Sequence, residues 1–282
     1  MVDFGENTAQ GEFWNSKPGQ AWVRFDEAMN ERLSNVTEHL MKAVEPLSFN
    51  SVLDLGCGTG ALSARLTQDY GPSLRLLGSD ISQIMLERAQ EKNKENHNVT
   101  FRQGDAQIDD FGGECFDLVI SRFGSMFFDD PIKAFSNIRQ AMSKEGALVF
   151  ACWAPYEENE FFYLPRDLLR EYGDETSKPE ARAAGPFAFC DKEYVNEILS
   201  ASGYKNIKID EVKTTLATSD TLEQNANLLM KVGFGARVIR DLNLDEAQIS
   251  QIRDQYMAHA IERQKDGMIS YDALIYLVTA KA

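Results

Sequence analysis

The sequence predicts an α/β fold: a doubly wound, mostly parallel sheet of seven strands, with helical insertions capping it after the fifth and sixth strands. Three observations carry this. Short apolar runs alternate with helical patterns between Ser51 and Trp153, giving five strands with connecting helices. The first and fifth runs, Ser51–Gly56 and Ala147–Trp153, are nearly continuously apolar, as strands covered on both faces are. Finally, Val52-Leu53-Asp54-Leu55-Gly56-Cys57-Gly58-Thr59-Gly60 runs straight into Ala61, Leu62 and Leu66 at helical spacing. That is a strand, a glycine turn and a helix start, with backbone N–H groups exposed toward an electron-rich ligand.

Residues 1–19 are polar and broken by Gly11, Pro18 and Gly19, which predicts an irregular arm. Trp22, Phe25, Met29, Leu33, Val36, Leu40 and Val44 follow at spacings of three and four, predicting one helix that ends at Pro46. Trp14 lies off that stripe, and Trp14 and Trp22 are candidates for a lid over a ligand site. After the glycine turn, a helix over about Thr59–Tyr70 stops at Gly71-Pro72. The second strand is Leu74–Asp80, and Ser82 caps the next helix. Val99–Gln103 and Phe116–Ser121 are strands three and four. Asp130-Pro131 opens a helix that Lys144-Glu145-Gly146 closes. Asp191 caps another helix, Ile207 to Leu216 is strand six and Ala273–Thr279 is strand seven.

The expected organisation is an arm and helix over 1–46, a binding core over 47–153 and a cap insertion over 154–190. The core continues over 191–220, a helical cap insertion follows over 221–270, and the last strand lies in 271–282. The first insertion leaves the carboxyl end of strand five. The second leaves that of strand six, if strand six is parallel. Ligands in open α/β sheets bind at that edge.

The chain has 282 residues, is 43% hydrophobic and 26% charged, and carries a formal net charge of −15. That charge argues against a broad nucleic-acid surface and favours a small-molecule partner. No apolar run reaches the roughly 20 residues of a membrane span, and the acidic start lacks a signal-peptide core. Cys57, Cys115, Cys152 and Cys190 are scattered, which reads as reduced thiols in a cytoplasmic protein. Asp129-Asp130 is the nearest thing to a metal pair, but Asp130 has a use as a helix cap, and no metal is expected.

Acids stand at three successive strand ends: Asp54, Asp80 and Asp105. Asp80 lies 24 residues after Gly56, close to the roughly 20 expected of an acid that grips ribose hydroxyls. Gly56-x-Gly58-x-x-Ala61 also satisfies a loose dinucleotide fingerprint, so an NAD(P)-type oxidoreductase is an alternative. A cofactor-binding protein without turnover is another. Gly60, Asp54 and the terminal strand count against the dinucleotide reading.

Leu53-Asp54-Leu55-Gly56-Cys57-Gly58-Thr59-Gly60, Gly78-Ser79-Asp80-Ile81-Ser82, Gly104-Asp105-Ala106 and Phe116-Asp117-Leu118-Val119 together resemble the class I S-adenosylmethionine-dependent methyltransferases. The resemblance is strongest over residues 45–153 and to the small-molecule branch typified by ubiquinone and menaquinone biosynthesis. It implies a Rossmann-like core and S-adenosylmethionine as cofactor, leaving S-adenosylhomocysteine. Asp54 belongs to the motif, and Gly56, Cys57, Gly58 and Gly60 would pass under the methionine part. Asp80 would take both ribose hydroxyls and Ile81 would lie against adenine. Gly104, Asp105 and Ala106 would hold the adenine edge. Ser121, Arg122 and Phe123 would line the route to the methyl group.

Methyl transfer from a sulfonium needs alignment and water exclusion, and a base only if the acceptor must lose a proton early. His39 and His97 read as structural or surface residues. His259, in the second insertion, and Arg122 are the candidate catalytic groups. Arg122, Arg166 and Arg170 could hold an anionic substrate. Phe161, Phe162, Tyr163, Phe187 and Phe189 suggest an apolar or aromatic acceptor, with ordinary cap core as their other reading.

Overall fold

A computed structural model describes residues 7–172, 180–233, 235–236, 239, 242 and 244–282. The arm residue Phe4 and the insertion residue Pro179 lie outside them. Among the described residues the sheet has eight strands: β1 (Ser51–Leu55), β2 (Arg75–Asp80), β3 (Val99–Gln103), β4 (Phe116–Arg122), β5 (Met142–Trp153), β6 (Lys205–Thr218), β7 (Gln264–Lys265) and β8 (Met268–Lys281). Their order is β3-β2-β1-β4-β5-β8-β6, with β7 paired to β8. Strands β1 to β5 are mutually parallel. β8 runs antiparallel to both β5 and β6, so β6 points the same way as β1–β5. Both insertions therefore leave the carboxyl edge of the sheet.

All five residues of β1 are buried, as a strand packed on both faces requires. Its neighbours are β2 on one side and β4 on the other, and the chain reverses its winding between them. This is the switch point at which α/β sheets open a ligand crevice.

The N-terminal region differs from expectation. In place of an irregular arm and one long helix there are four short helices: α1 (Thr8–Trp14), α2 (Lys17–Arg24), α3 (Asp26–Arg32) and α4 (Ser34–Val44). Ser16 is extended before Pro18, and Phe25 and Leu33 leave helical geometry at φ −105° and −86°, with ψ near zero. These breaks let the apolar stripe serve two surfaces. Val36, Leu40 and Val44 are fully buried, and α4 packs across β4, β5 and β6. α2 instead packs on α6 (Gln83–Lys92), with Trp22 only half-buried.

The remaining helices are α5 (Ala61–Tyr70), α7 (Pro131–Gln140), α8 (Glu160–Leu169), α9 (Lys192–Ala201), α10 (Leu222–Leu229) and α11 (Glu246–Glu262). Asp130 caps α7 by accepting the Lys133 N–H. β5 begins at Met142, ahead of the expected Ala147, and α7 ends earlier to match. β8 is also longer than expected, because it is laddered on both sides. The extra strand β7 comes from a two-residue hairpin at Asp266-Gly267, both with positive φ (52° and 80°). Asp-Gly is the pair such a turn demands, a local signal that the sequence reading missed. Among the described residues no helix is long and apolar enough to cross a membrane.

Candidate functional site

The loop after β1 is held from both sides. The Gly56 and Cys57 N–H groups donate to the Ser79 carbonyl of β2 (2.8 and 3.1 Å). Gly56 has φ +65°, and a Cβ there would sit 2.6 Å from the Cα of Gly124 beyond β4. Glycine is required by both the backbone and the close approach. Ser121, an expected lining residue, is fully buried and does not line the cavity. Its hydroxyl donates to the Leu55 carbonyl (2.7 Å) and accepts the Gly124 N–H (3.2 Å), tying β4 to the loop. Gly60 also misses the cavity. A Cβ on it would meet Asn93 at 2.8 Å and Ala89 at 3.0 Å, so its smallness serves the packing of α6.

The three acids do converge on one cavity of about 600 Å³, together with Gly56, Cys57, Gly58, Ile81, Gly104, Ala106, Arg122 and Phe123. Asp80 ends β2 and is 7% exposed. The Gly58 N–H donates to its Oδ2 and the Ser82 N–H to its Oδ1, each at 2.8 Å. Burial lifts its carboxyl above the ordinary aspartate value, while these amides pull the other way. Asp105 follows β3. Its Oδ1 accepts the Gln107 N–H (3.0 Å) and the Asn7 side-chain amide (3.4 Å), whereas its Oδ2 is buried with no partner in the protein. Burial raises this carboxyl too. Such an orphaned acceptor is costly unless a ligand satisfies it.

Asp54 is 1% exposed and accepts the Ser63 hydroxyl at 2.6 Å. Burial pushes its pKa from 3.8 up to about 6, against the pull of Ser63 and the Arg122 charge. A raised folded pKa means that the native state holds a proton which the unfolded chain releases between about pH 4 and 6. Stability therefore falls as pH rises through that window, by about 3 kcal/mol from this residue. Asp54→Asn is expected to remove that loss, so the stability gap between variant and wild type should grow from pH 4 to pH 7. Urea unfolding at the two pH values measures it, and a constant gap would contradict the assignment.

The N-terminal helices close the site, through the lid candidates Trp14 and Trp22 and through Asn15 and Asp26, which sequence reasoning missed. Asn15 donates to the Ile81 carbonyl (3.0 Å) and accepts the Gln83 N–H (2.8 Å). The Ser82 hydroxyl donates to the Trp14 carbonyl (2.7 Å). Trp14 meets Trp22 and Phe127 edge-on at 6.3 and 5.1 Å between ring centroids, and all three line the cavity. Asp26 of α3, 2% exposed, accepts from Thr59 of the glycine loop (2.5 Å), Asn30 (2.6 Å), Lys92 (2.9 Å) and Arg88 (3.2 Å). Burial alone would raise its pKa; the bonds from Lys92, Thr59 and Arg88 outweigh burial and hold it low. No local pattern marks Asn15 and Asp26, because most of their partners lie 33 to 68 positions away.

Arg122 leaves β4 into the cavity, donating to the Thr37 hydroxyl (2.8 Å) and to the Asn30 side-chain carbonyl. Burial lowers its pKa to about 10, against Asp54 and Asp26, so it is cationic at neutral pH. Beyond it the cavity turns apolar. Phe123, at φ +67°, stacks on Trp153 with centroids 3.9 Å apart and planes 9° apart. Phe161, Phe162 and Phe187 of the first insertion complete this wall. Tyr163 and Phe189 do not line it; Phe189 packs in the core against Phe135 and Phe150. Arg166 lies over the Tyr156 ring and Arg170 pairs with Asp167, both away from the cavity. His259 is not at the site either. It sits on α11, which packs against α8 and α10, with its nearest acid Glu262 at 3.8 Å.

A glycine loop at the switch point, with Asp54 inside β1, Asp80 ending β2 and Asp105 following β3, defines a Rossmann-like fold with a ligand crevice at its carboxyl edge. Residues 52–146 match a family model described as a methyltransferase domain. Aklanonic acid methyltransferase DauC from Streptomyces sp. strain C5 is 28% identical over 167 residues, covering 56% of this chain and 73% of that protein. Demethylmenaquinone methyltransferase from Staphylococcus saprophyticus is 24% identical over 184 residues, covering 61% and 77%. Among solved structures, phosphoethanolamine N-methyltransferase 2 from Haemonchus contortus, in complex with S-adenosylhomocysteine, superposes with TM-score 0.57 at 16% identity, covering 100% of this chain and 61% of that one. The cyclase SpnF superposes at 0.59 with 16% identity, covering 99% and 98%, and shares the fold. Residues 52–146 thus form a methyltransferase domain, and the relatives that match over longer stretches are small-molecule methyltransferases. These matches are to methyltransferases, the reading set against the oxidoreductase one by Gly60 and Asp54.

Proposed function

We propose that this enzyme methylates a small, largely apolar aromatic acceptor held in the chamber beside Phe123 and Trp153. The observation that carries it is the cavity's two-part chemistry. One end presents a fixed carboxylate and an orphaned one, at Asp80 and Asp105; the other is an aromatic box. Asp80 accepts both ribose hydroxyls, because its amide partners hold the carboxylate in place. The free Oδ2 of Asp105 takes the adenine amino group, Ala106 donates its N–H to the ring, and Ile81 lies against it. When bound, the cofactor's sulfonium supplies an electrophilic methyl group with its own leaving group. The protein's share is alignment and exclusion of water, for which Trp14, Trp22 and the aromatic wall are placed.

Titration calorimetry with S-adenosylhomocysteine and with NADH tests the reading. Binding of the first and none of the second is expected; no heat with the first at high concentration overturns it. Transfer of a labelled methyl group across a panel of planar aromatic acceptors then tests turnover. Tight cofactor binding with no transfer to any of them would favour a protein that kept the fold without the reaction.

A further inference from the structure

We propose that Arg122 holds an ionised oxygen on the methyl acceptor, which makes that acceptor a phenolate, an inference that rests on the methyl-transfer reading above. The guanidinium adjoins the acceptor chamber. Arg122 is the last residue of β4 and lines the cavity. Phe123, the next residue, stacks on Trp153 as the chamber's wall. An aromatic ring against that wall has the cation one residue away, within reach of an oxygen borne directly on the ring.

The charge has no anion of its own. Among the described residues no carboxylate lies within ion-pair distance of Arg122. The two acids whose charge it feels are engaged elsewhere, Asp54 of β1 with Ser63 and Asp26 of α3 with Thr59, Asn30, Lys92 and Arg88. Its partners, the Thr37 hydroxyl and the Asn30 side-chain carbonyl, are neutral oxygens that aim the guanidinium and occupy two of its five N–H donors. A cation enclosed in this way is costly until an anion arrives. The other charged groups at the cavity are not equivalent. Arg32 is paired with Asp220, while Lys17, Lys231 and Glu180 are exposed to solvent that screens them. Burial pushes the Cys57 thiol up, so it stays neutral.

The chamber also lacks a base. Among the described residues no histidine lines the cavity. Asp54 is bound to Ser63 and Asp80 to the Gly58 and Ser82 amides. The free oxygen of Asp105 follows β3, at the opposite end of the order β3-β2-β1-β4. An acceptor that arrives ionised, its proton gone to water, needs no base. A lone pair on its oxygen forms the bond to the methyl carbon as the carbon–sulfur bond breaks, and the pair from that bond stays on sulfur. Phenolate and sulfonium thereby become a neutral ether and a neutral thioether. The guanidinium's share is to lower the cost of ionising the phenol inside the cavity.

The test uses 4-nitrophenol, whose ionised form absorbs visible light, on the full chain saturated with S-adenosylhomocysteine. Bound to the wild type, its acid ionisation constant is expected to rise at least about tenfold over that in water, the weight of one charge-assisted hydrogen bond. In Arg122→Gln that rise should vanish, while calorimetry finds S-adenosylhomocysteine affinity within about twofold of wild type. Arg122→Lys keeps the charge and loses the fork, so it should keep part of the rise; it also stands in if the glutamine variant does not fold. The same ionisation constant on wild type and variant, or no binding of nitrophenol to the wild type, would overturn the proposal. Weakening of S-adenosylhomocysteine by about tenfold or more in Arg122→Gln would overturn it too, assigning the charge to the cofactor. Benzoate affinity that falls in the variant while nitrophenol ionisation stays constant would replace the phenolate by a carboxylate. Failure of the wild type to bind S-adenosylhomocysteine would overturn the methyl-transfer reading instead.

Discussion

Asp80→Ala is expected to weaken S-adenosylhomocysteine binding by more than about a hundredfold. A hydrogen bond to a charged group is worth about 1.5–3 kcal/mol, and this carboxylate is proposed to accept two from the ribose. Their loss together is about 3–6 kcal/mol, with each 1.4 kcal/mol a factor of ten. The substitution also frees the Gly58 and Ser82 N–H groups that the carboxylate holds at 2.8 Å, so the loop loses its template as well as its ligand contact. Asp80→Asn separates the two effects. It keeps one acceptor oxygen but turns an amide NH2 toward one of the two backbone donors. Calorimetry reads the affinity, and thermal unfolding without ligand reads the structural part. An affinity within about twofold of wild type in the alanine variant would remove Asp80 from the ribose contact.

Arg32→Met should destabilise the fold by about 3 kcal/mol. Arg32 is fully buried, donating to Asp220 at 2.8 Å, to Asn225 at 2.9 Å and to the Ala28 carbonyl at 3.0 Å. Asn225 in turn donates to the Tyr271 hydroxyl at 2.7 Å. The chain thus links α3, α10 and β8 across the cavity wall. Removing one member of a buried ion pair costs about 3–5 kcal/mol, chiefly because its partner is left uncompensated. Asp220 keeps 17% of its side chain exposed, which places the expectation at the lower end. Denaturant unfolding should show a lower midpoint with an unchanged slope. Arg32→Met combined with Asp220→Asn should recover part of the loss. A loss below about 1 kcal/mol for the single variant would show that water reaches Asp220 and compensates it.

The convergence of the glycine turn and the strand-end acids on one cavity was legible because their signals are local. Asp80 is readable as a strand-end acid, and Gly56 as a turn glycine, from the few residues around each. Neighbouring positions show the limit of such reading. Ser121 and Arg122 are adjacent on β4, and successive strand residues face opposite ways. Only Arg122 reaches the cavity, while Ser121 binds β1. Gly60 shares the motif with Gly56 and Gly58 but faces α6. Among the insertion aromatics, Phe162 and Phe187 line the chamber whereas Phe189 is core. Aromatic content could not separate these roles, since both environments reward the same apolar area.

The sequence by itself determined the alternation of strand and helix, the glycine turn and the acids at the strand ends. Periodicity, positive φ and turn chemistry are properties of short stretches. Only the tertiary structure decided that the N-terminal helices fold back over the glycine loop, that Asp105 keeps a free oxygen and that Arg122 keeps an uncompensated charge. Whether a buried polar group is satisfied depends on which distant side chains reach it, as Asp26 reaches Thr59 and Asn7 reaches Asp105.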